Sequence, residues 1–226
     1  MTTGIRENLE AVRERIGNAC ALSGRSPGEV GVMAVTKTHP VETVRAAVAA
    51  GVTVIGENRV TEGGRKTREL GAGFAEFHLI GPLHVREVRQ ALRDFRWIDS
   101  VDRVEVAGEM IRRKASNPLL VEVNTSGEPG KKGFPPDPDV LVEVVGMMVG
   151  EGLRVEGLMT VGPLTLVESD SRRAFSLLRE LRDRLRGSLG TPLENLSMGM
   201  SDDFVHAVRE GSTMVRLGRV LLGERR

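Results

Sequence analysis

Hydrophobic positions along the chain fall into two patterns, short continuous apolar runs and longer stretches with helical spacing. The apolar runs predict β-strands at residues 30–37, 52–57, 75–81, 96–100, 118–124, 153–160, 193–198 and 213–218. These runs are apolar throughout rather than alternating with polar residues. Strands of this kind are expected to be parallel and covered on both faces.

Helical spacing is visible before the first strand and between most of the others. In residues 5–22, apolar side chains recur every three or four positions. Similar patterns follow in VETVRAAVAA, VDRVEVAGEMIRRKA and SRRAFSLLRELRDRL. Eight strand–helix repeats in about 200 residues predict a (β/α)8 TIM barrel with an additional N-terminal helix, and an open doubly wound sheet is the alternative. We expect residues 1–226 to form a single domain.

Composition narrows the range of functions. The net charge is +1 and aromatic residues make up 3% of the chain, so neither a basic surface nor stacking rings for nucleic acid is expected. The single cysteine, Cys20, cannot form an intrachain disulfide, and we interpret it as a small packed residue. The N-terminus lacks an apolar signal core, and no apolar run is long enough to cross a bilayer. A cytoplasmic location is therefore expected.

The predicted strands end in polar or small residues, and in parallel barrels chemistry lies where the strands end. The first such end, VMAVTKTHP, places Lys37 directly after an apolar run. In a partly dry barrel mouth, a lysine can lose its proton and attack a carbonyl to form a Schiff base. The alternative is a structural lysine that reaches solvent or pairs with an acid.

Two late segments indicate an anion site. LSMGMSDDF (196–204) leads into a predicted helix, where small residues can cradle an anion, although Ser201, Asp202 or Asp203 could simply cap the helix. VRLGRV (215–220) ends the last strand, and its Arg216 could enter the barrel mouth or form a surface ion pair. Barrels often bind phosphate with the loops after strands seven and eight, which are these positions.

A metal site is not expected. The four histidines form no known metal motif, and one cysteine offers no thiolate cluster. His78 in FHLIG is expected to point into the barrel or to bond a neighbouring loop.

Several segments in order and spacing resemble one known family. They are AVTKTHP, IGENRVTE, FHLIGPLH, IDSVD, VEVNTSGEPGKKGF, GLMTVGP, LSMGMSDDF and VRLGRVLLGER. The chain resembles the pyridoxal 5′-phosphate (PLP) homeostasis protein family, whose single barrel is related to the N-terminal domain of alanine racemase. The resemblance runs from the first helix to the last segment, and it implies PLP at the barrel mouth.

The resemblance also implies roles for individual residues. The lysine of AVTK is Lys37, which would hold PLP as an internal aldimine. The asparagine of GEN is Asn58, expected close to the cofactor, and the methionine of GLMT is Met159, expected against the pyridine ring.

On the phosphate side, the resemblance implies that Ser201 and the backbone of Gly218 and Arg219 hold the phosphate. Arg216 is expected to face the ring nitrogen. A guanidinium there keeps that nitrogen unprotonated, which weakens the ring as an electron sink.

The chain departs from the family pattern in two places. Arg59 stands where an aromatic residue usually follows GEN, and GPLHVRE replaces the usual GHLQ-x-NK. Lys131 in GEPGKKGF matches a loop lysine that could offer a second contact for PLP, with Lys132 beside it.

The resemblance implies a carrier that buffers or delivers PLP to apoenzymes, without strong turnover and as a monomer. A two-base racemase would need a tyrosine from an additional domain, and the chain has no tyrosine and no expected second domain. One alternative is a PLP enzyme with an unrecognised base, with His39, His78 or His84 as candidates. The other is an aldolase that uses Lys37 without PLP.

Overall fold

Eight parallel strands form a closed barrel in the computed structural model, which describes residues 2–71, 73–165 and 167–223. The strands are β1 (Gly31–Val35), β2 (Val54–Glu57), β3 (Glu76–Leu79), β4 (Trp97–Val101), β5 (Pro118–Glu122), β6 (Arg154–Met159), β7 (Asn195–Ser197) and β8 (Met214–Leu217). They pair in chain order, and β1 closes the ring by pairing with β8. This confirms the predicted TIM barrel, and the open-sheet alternative is wrong because the first and last strands pair.

Helices surround the barrel. They are α1 (Thr2–Leu22), α2 (Val41–Ala49), α3 (Val60–Leu70), α4 (Val88–Asp94), α5 (Val104–Arg112), α6 (Pro138–Gly150), α7 (Glu168–Leu189), α8 (Phe204–Arg209) and α9 (Arg219–Leu222). The predicted N-terminal helix is α1, which packs against α8, α9 and α2. Its apolar stripe and Cys20 are buried as expected. Across the described ranges, no helix combines the length and the apolar character that crossing a membrane would require.

Seven of the eight strands are shorter than the apolar runs that predict them, and β4 has the predicted length, shifted by one residue. Residues 36–39 already turn away from the barrel after β1, and Thr38 adopts a left-handed backbone with φ of 67°. Before β7, Leu193 has φ of 42°, a value that cannot continue a strand, so β7 covers only three residues. The residues trimmed from the carboxyl ends include Lys37, Asn124 and Thr160, which line the barrel mouth.

Alternate residues of each strand face different environments. The outward side chains pack with the helices in the main apolar core: Ala34, Ile55, Phe77, Ile98, Val121, Leu158, Leu196 and Val215. The inward side chains lie between them along the strands: Met33, Gly56, His78, Asp99, Glu122, Met159, Ser197 and Arg216. More than half of this inner set is polar or charged. The strands therefore carry a polar interior beneath the mouth, a feature that their apolar composition does not suggest.

Candidate functional site

A cavity of about 740 Å³ opens at the carboxyl ends of the strands. The residues that line it lie at the ends of the strands or in the segments that follow them, for every strand except β4. Of the seven residues implied to hold a cofactor, six line this cavity: Lys37, Asn58, Ser201, Arg216, Gly218 and Arg219. Positions spread over 183 residues of sequence, from 37 to 219, thus meet in one concave site.

Met159 is the exception among the seven. It is buried on β6, directly before Thr160 and Val161, which do line the cavity, and is only 1% exposed. In register it pairs with Glu122 and with Ser197, so it belongs to the inner layer of the barrel. Its implied contact with a pyridine ring remains a prediction.

Lys37 is half-buried and lies in the turn after β1. Because β1 stands next to β8, the turn that carries Lys37 adjoins the segment with Gly218 and Arg219. The lysine and the segment predicted to bind an anion therefore share one cavity, as an aldehyde that also carries a phosphate requires.

Asn58 is held at the cavity by a tight contact with the loop after β3. A Cβ added to Gly81 would lie 2.2 Å from the carbonyl oxygen of Asn58. Only a residue without a side chain allows the two backbones to approach this closely. The glycine of FHLIG therefore positions Asn58 from a neighbouring strand.

The predicted anion segments approach each other as expected. The Val220 amide donates to Ser201 Oγ at 3.4 Å, and the Arg219 guanidinium pairs with Asp202. Asp203 occupies the position before α8, but its carboxylate accepts from the Met200 amide at 2.6 Å instead of capping the helix. The Ser201 hydroxyl accepts from the segment after β8 and lines the cavity.

Arg216 is an inward residue, not a surface one. It is 4% exposed, and its guanidinium donates to Ser197 O at 2.6 Å, to Ser197 Oγ at 2.9 Å and to Thr160 O at 2.7 Å. Burial lowers the pKa of Arg216, while Asp99, Glu122 and Asp203 act in the opposite direction. These contacts lock a planar cation at the floor of the cavity.

The cavity contains more cationic than acidic side chains. Lys37, Lys131, Lys132, Arg216 and Arg219 line it, against the carboxylates of Glu122 and Asp202. A dianionic phosphate fits such a set of donors. Together with a primary amine and a buried guanidinium, this is a donor set suited to a phosphorylated aldehyde with a heterocyclic nitrogen.

Lys131 and Lys132 differ in their surroundings. The Lys131 amine donates to Gly162 O at 2.6 Å and pairs with Glu128, which joins the loop after β5 to the loop after β6. Lys132 is exposed at the cavity edge. The loop of residues 123–137 therefore lies over the site, as the Gly/Pro-rich segment predicts, and Lys131 anchors it.

Glu122 was not identified from the sequence, although it lines the cavity. Burial, followed by the nearby Asp102, raises the pKa of Glu122 to about 7, against the opposing effect of Arg216 and Lys132. The signal in the sequence is a single carboxylate inside the apolar run PLLVEVN. Its side chain can change protonation near neutral pH at the base of the site.

The three histidines considered as a catalytic base lie outside the cavity lining. None of His39, His78 and His84 is among the described residues that line the cavity. His84 is exposed, as are the next two residues, Val85 and Arg86, while Leu83 before it is buried. Arg59, the other departure from the family pattern, is also exposed. Arg59 and His84 thus lie outside the site, whereas Pro82 of GPLHVRE lines the cavity.

His78 points into the barrel, as predicted. Its Nδ1 lies 2.9 Å from Asp99 Oδ1, its Nε2 lies 3.2 Å from Glu76 Oε1, and its ring stacks on Trp97. Both ring nitrogens are therefore engaged with carboxylates, away from the cavity. Within the described residues, no group of three or more His, Cys, Asp and Glu side chains is arranged to hold a metal ion.

The His78 cluster predicts a pH dependence of stability. Burial lowers the pKa of His78, but Asp99 and Glu76 outweigh it and raise the pKa from 6.5 to about 9. The charged pair therefore stabilises the fold fully below pH 6.5, and this contribution is lost as the pH rises through 9. Between these limits, the free energy of unfolding of the wild type should fall by up to about 3 kcal/mol more than that of His78→Gln.

Urea unfolding at a series of pH values measures this difference, with His84→Gln as a control for the loss of an exposed histidine. Equal pH slopes for the wild type and His78→Gln would contradict the assignment.

Comparison with known proteins is consistent with this geometry. The family model described as alanine racemase, N-terminal domain, matches residues 5–226. The pyridoxal phosphate homeostasis protein of Pseudomonas aeruginosa is 40% identical over 226 residues, which cover 98% of this chain and 96% of that protein. A protein of the same name from Aquifex aeolicus is 38% identical and covers 97% of this chain and 98% of its own length.

Solved structures share the fold. PipY of Synechococcus elongatus, solved with PLP bound, superposes with a TM-score of 0.81 at 30% identity, covering 97% of this chain and 100% of that chain. An alanine racemase of Clostridium difficile superposes with a TM-score of 0.80 at 17% identity, which shows the common fold, and this chain matches 57% of its length.

Proposed function

Since this chain belongs to the pyridoxal phosphate homeostasis protein family, we propose that it binds PLP at the barrel mouth and acts in PLP homeostasis by buffering and delivering the cofactor. The observation that supports this proposal is the convergence of six family-matched residues on one cavity. Its cationic lining, the Lys37 amine and its buried guanidinium correspond to the phosphate, the aldehyde and the ring nitrogen of one molecule.

Each group in the cavity has a proposed part in holding the cofactor. Lys37 attaches the aldehyde carbon through Nζ, and Asn58 lies close to the bound molecule. Ser201, with the backbone of Gly218 and Arg219, holds the phosphate. PLP supplies an aldehyde and an electron-accepting ring when bound.

Arg216 favours storage over catalysis. Its hydrogen bonds to Ser197 and Thr160 fix its guanidinium on the floor of the cavity, where the resemblance places the ring nitrogen. A fixed positive charge there disfavours protonation of that nitrogen, and an unprotonated ring withdraws electrons weakly.

We propose one domain, residues 1–226, that needs no partner subunit to complete the site.

The alternative is a PLP-dependent enzyme that acts on amino acids. Such an enzyme needs a base in reach of the substrate, and the three candidate histidines do not line the cavity. Glu122 does line it, and its pKa of about 7 suits proton transfer. Glu122 is therefore the residue to test for this alternative.

Transfer to an apoenzyme distinguishes the two functions. Protein loaded with PLP, freed of excess cofactor, is mixed with the apo form of a PLP-dependent aminotransferase, and recovery of aminotransferase activity is followed over time. We expect the loaded protein to restore activity while showing no racemisation of L-alanine above that of free PLP.

Lys37→Ala, treated in the same way, should carry no cofactor through the separation and restore nothing. Racemisation or elimination that depends on both Lys37 and Glu122 would instead favour the enzyme. Failure of the wild-type protein to retain PLP at all would overturn the proposed function.

A further inference from the structure

A lysine outside the cavity is buried directly behind the turn that carries Lys37. Lys66 of α3 has none of its side chain exposed, and it is not among the residues that line the cavity. Its Nζ lies 2.8 Å from Thr36 O, 2.7 Å from Glu57 Oε1 and 2.9 Å from Glu62 Oε1. A buried ammonium requires such partners. In this protein, the same carboxylate partners also bond the residues before and after Lys37.

The first contacts hold the residue before Lys37. The carbonyl of Thr36 accepts from Lys66 Nζ and from the His39 amide at 3.0 Å. The hydroxyl of Thr36 donates to Glu57 Oε1 at 2.5 Å. Both the backbone and the side chain of this residue are therefore tied to the same buried pair.

The other contact holds the residue after Lys37. The Thr38 amide donates to Glu62 Oε1 at 2.6 Å, the oxygen that also accepts from Lys66. Thr38 has φ of 67°, a left-handed backbone that a residue with a branched side chain rarely adopts. Such a conformation persists where surrounding bonds impose it, and the Glu62 carboxylate supplies one.

We propose that Lys66, Glu57 and Glu62 form a positioning network that holds the peptide on both sides of Lys37 and thereby directs its Nζ toward the aldehyde of the cofactor. This inference rests on the proposed function. Attachment joins Nζ to the aldehyde carbon with loss of water, and it requires the two atoms to meet in a narrow range of distances and angles.

Stability alone does not account for this arrangement. Glu57 is fully buried, and its Oε2 has no hydrogen-bond partner among the described residues. Burial raises the pKa of Glu57 despite the bonds from Lys66 and Thr36, so the carboxylate is not in a favourable place for its charge. An apolar side chain from α3 would fill the same space without these charges. What the charges add is directed hydrogen bonds to the residues on each side of Lys37.

Glu62 is the best site for the test, since its side chain is 20% exposed and its loss leaves the Lys66–Glu57 pair intact. Glu62→Ala removes the bond to Thr38, and Glu62→Gln keeps an oxygen that can accept it. Glu69→Ala, an exposed carboxylate on the same helix, is the matched control.

Comparing two ligands distinguishes an effect on the position of the Lys37 amine from an effect on the shape of the cavity. PLP carries the aldehyde, whereas pyridoxine 5′-phosphate has a hydroxymethyl group instead and cannot attach to an amine. Dissociation constants for both are measured by equilibrium dialysis, and the attachment of PLP is followed by mass spectrometry after borohydride reduction. Circular dichroism of each variant verifies the fold.

We expect Glu62→Ala to weaken PLP binding and slow its attachment roughly tenfold, the effect of losing one hydrogen bond to a charged group. Its affinity for pyridoxine 5′-phosphate should stay at the wild-type value. Glu62→Gln should recover most of the loss, and Glu69→Ala should match the wild type for both ligands.

Two results would overturn the network. One is unchanged PLP attachment in Glu62→Ala, and the other is an equal loss of both ligands in a folded variant, which would mean that Glu62 shapes the pocket rather than the position of the amine. A wild-type protein that binds pyridoxine 5′-phosphate but does not attach PLP would overturn the lysine assignment itself, and one that binds neither would overturn the proposed function.

Discussion

Lys37→Ala is expected to lose covalent attachment of PLP completely. Lys37 is the lysine of the turn after β1, and it shares its cavity with the residues proposed to hold the phosphate. Alanine has no amine to join to the aldehyde carbon, while Ser201, Gly218 and Arg219 remain to hold the phosphate. The visible absorption band of lysine-bound PLP should therefore disappear, although weaker non-covalent binding persists.

The intact mass of the protein after borohydride reduction measures covalent attachment independently of the absorption band. The wild type should gain the mass of one reduced cofactor, and Lys37→Ala should gain none. Lys131→Ala and Lys132→Ala are matched controls, because both lysines line the same cavity but belong to the loop after β5. If the adduct persisted in Lys37→Ala and disappeared in one of the controls, PLP would be attached to a lysine of the loop after β5 instead.

Arg216→Met is expected to destabilise the fold by about 2–4 kcal/mol, since each buried hydrogen-bonding group left without its partner costs about 1–3 kcal/mol. Arg216 is the buried cation that faces Asp99, Glu122 and Asp203. Methionine approximates the aliphatic stem but leaves Glu122 and Asp203 without this cation, whereas Asp99 keeps His78 as a partner. It also leaves Ser197 O and Thr160 O without their donor.

Urea unfolding at neutral pH measures this loss, and Arg154→Met is the control. Arg154 is a strand residue too, but its ion pair with Glu156 is largely exposed, so its removal should change stability by less than about 1 kcal/mol. The deficit of Arg216→Met should also shrink in acid, since burial raises the pKa of both Glu122 and Asp203 and protonation removes the uncompensated charge. Equal losses for the two variants, or a deficit that does not change with pH, would contradict the assigned role of Arg216.

The two predictions concern two halves of one site. Lys37 lies in a loop whose neighbouring residues are held by hydrogen bonds: the Thr36 carbonyl accepts from Lys66, and the Thr38 amide donates to Glu62. Arg216 lies on a strand, where barrel register and backbone carbonyls hold it. A rigid floor and a separately supported amine suit a protein that must bind a cofactor in one orientation and release it again.

The sequence by itself determined the barrel and most of the site. Apolar runs and helical spacing are local patterns, and in a parallel barrel all strands end at the same rim. Polar residues at those ends, such as Lys37, Asn58 and Ser201, therefore had to meet wherever the strands closed. The order of the motifs added the chemistry that each end was expected to supply.

Only the tertiary structure decided which charges are buried and what they contact. The sequence around Lys66, Glu122 and Asp99 does not indicate that these side chains are buried, although all three are. Whether such a side chain faces solvent, a helix or the barrel interior depends on strand register and on partners distant in sequence, such as Asp99 for His78. The local pattern does not predict the exact end of each strand either. At Thr38, for example, the left-handed backbone is accompanied by a hydrogen bond to Glu62, a residue 24 positions away.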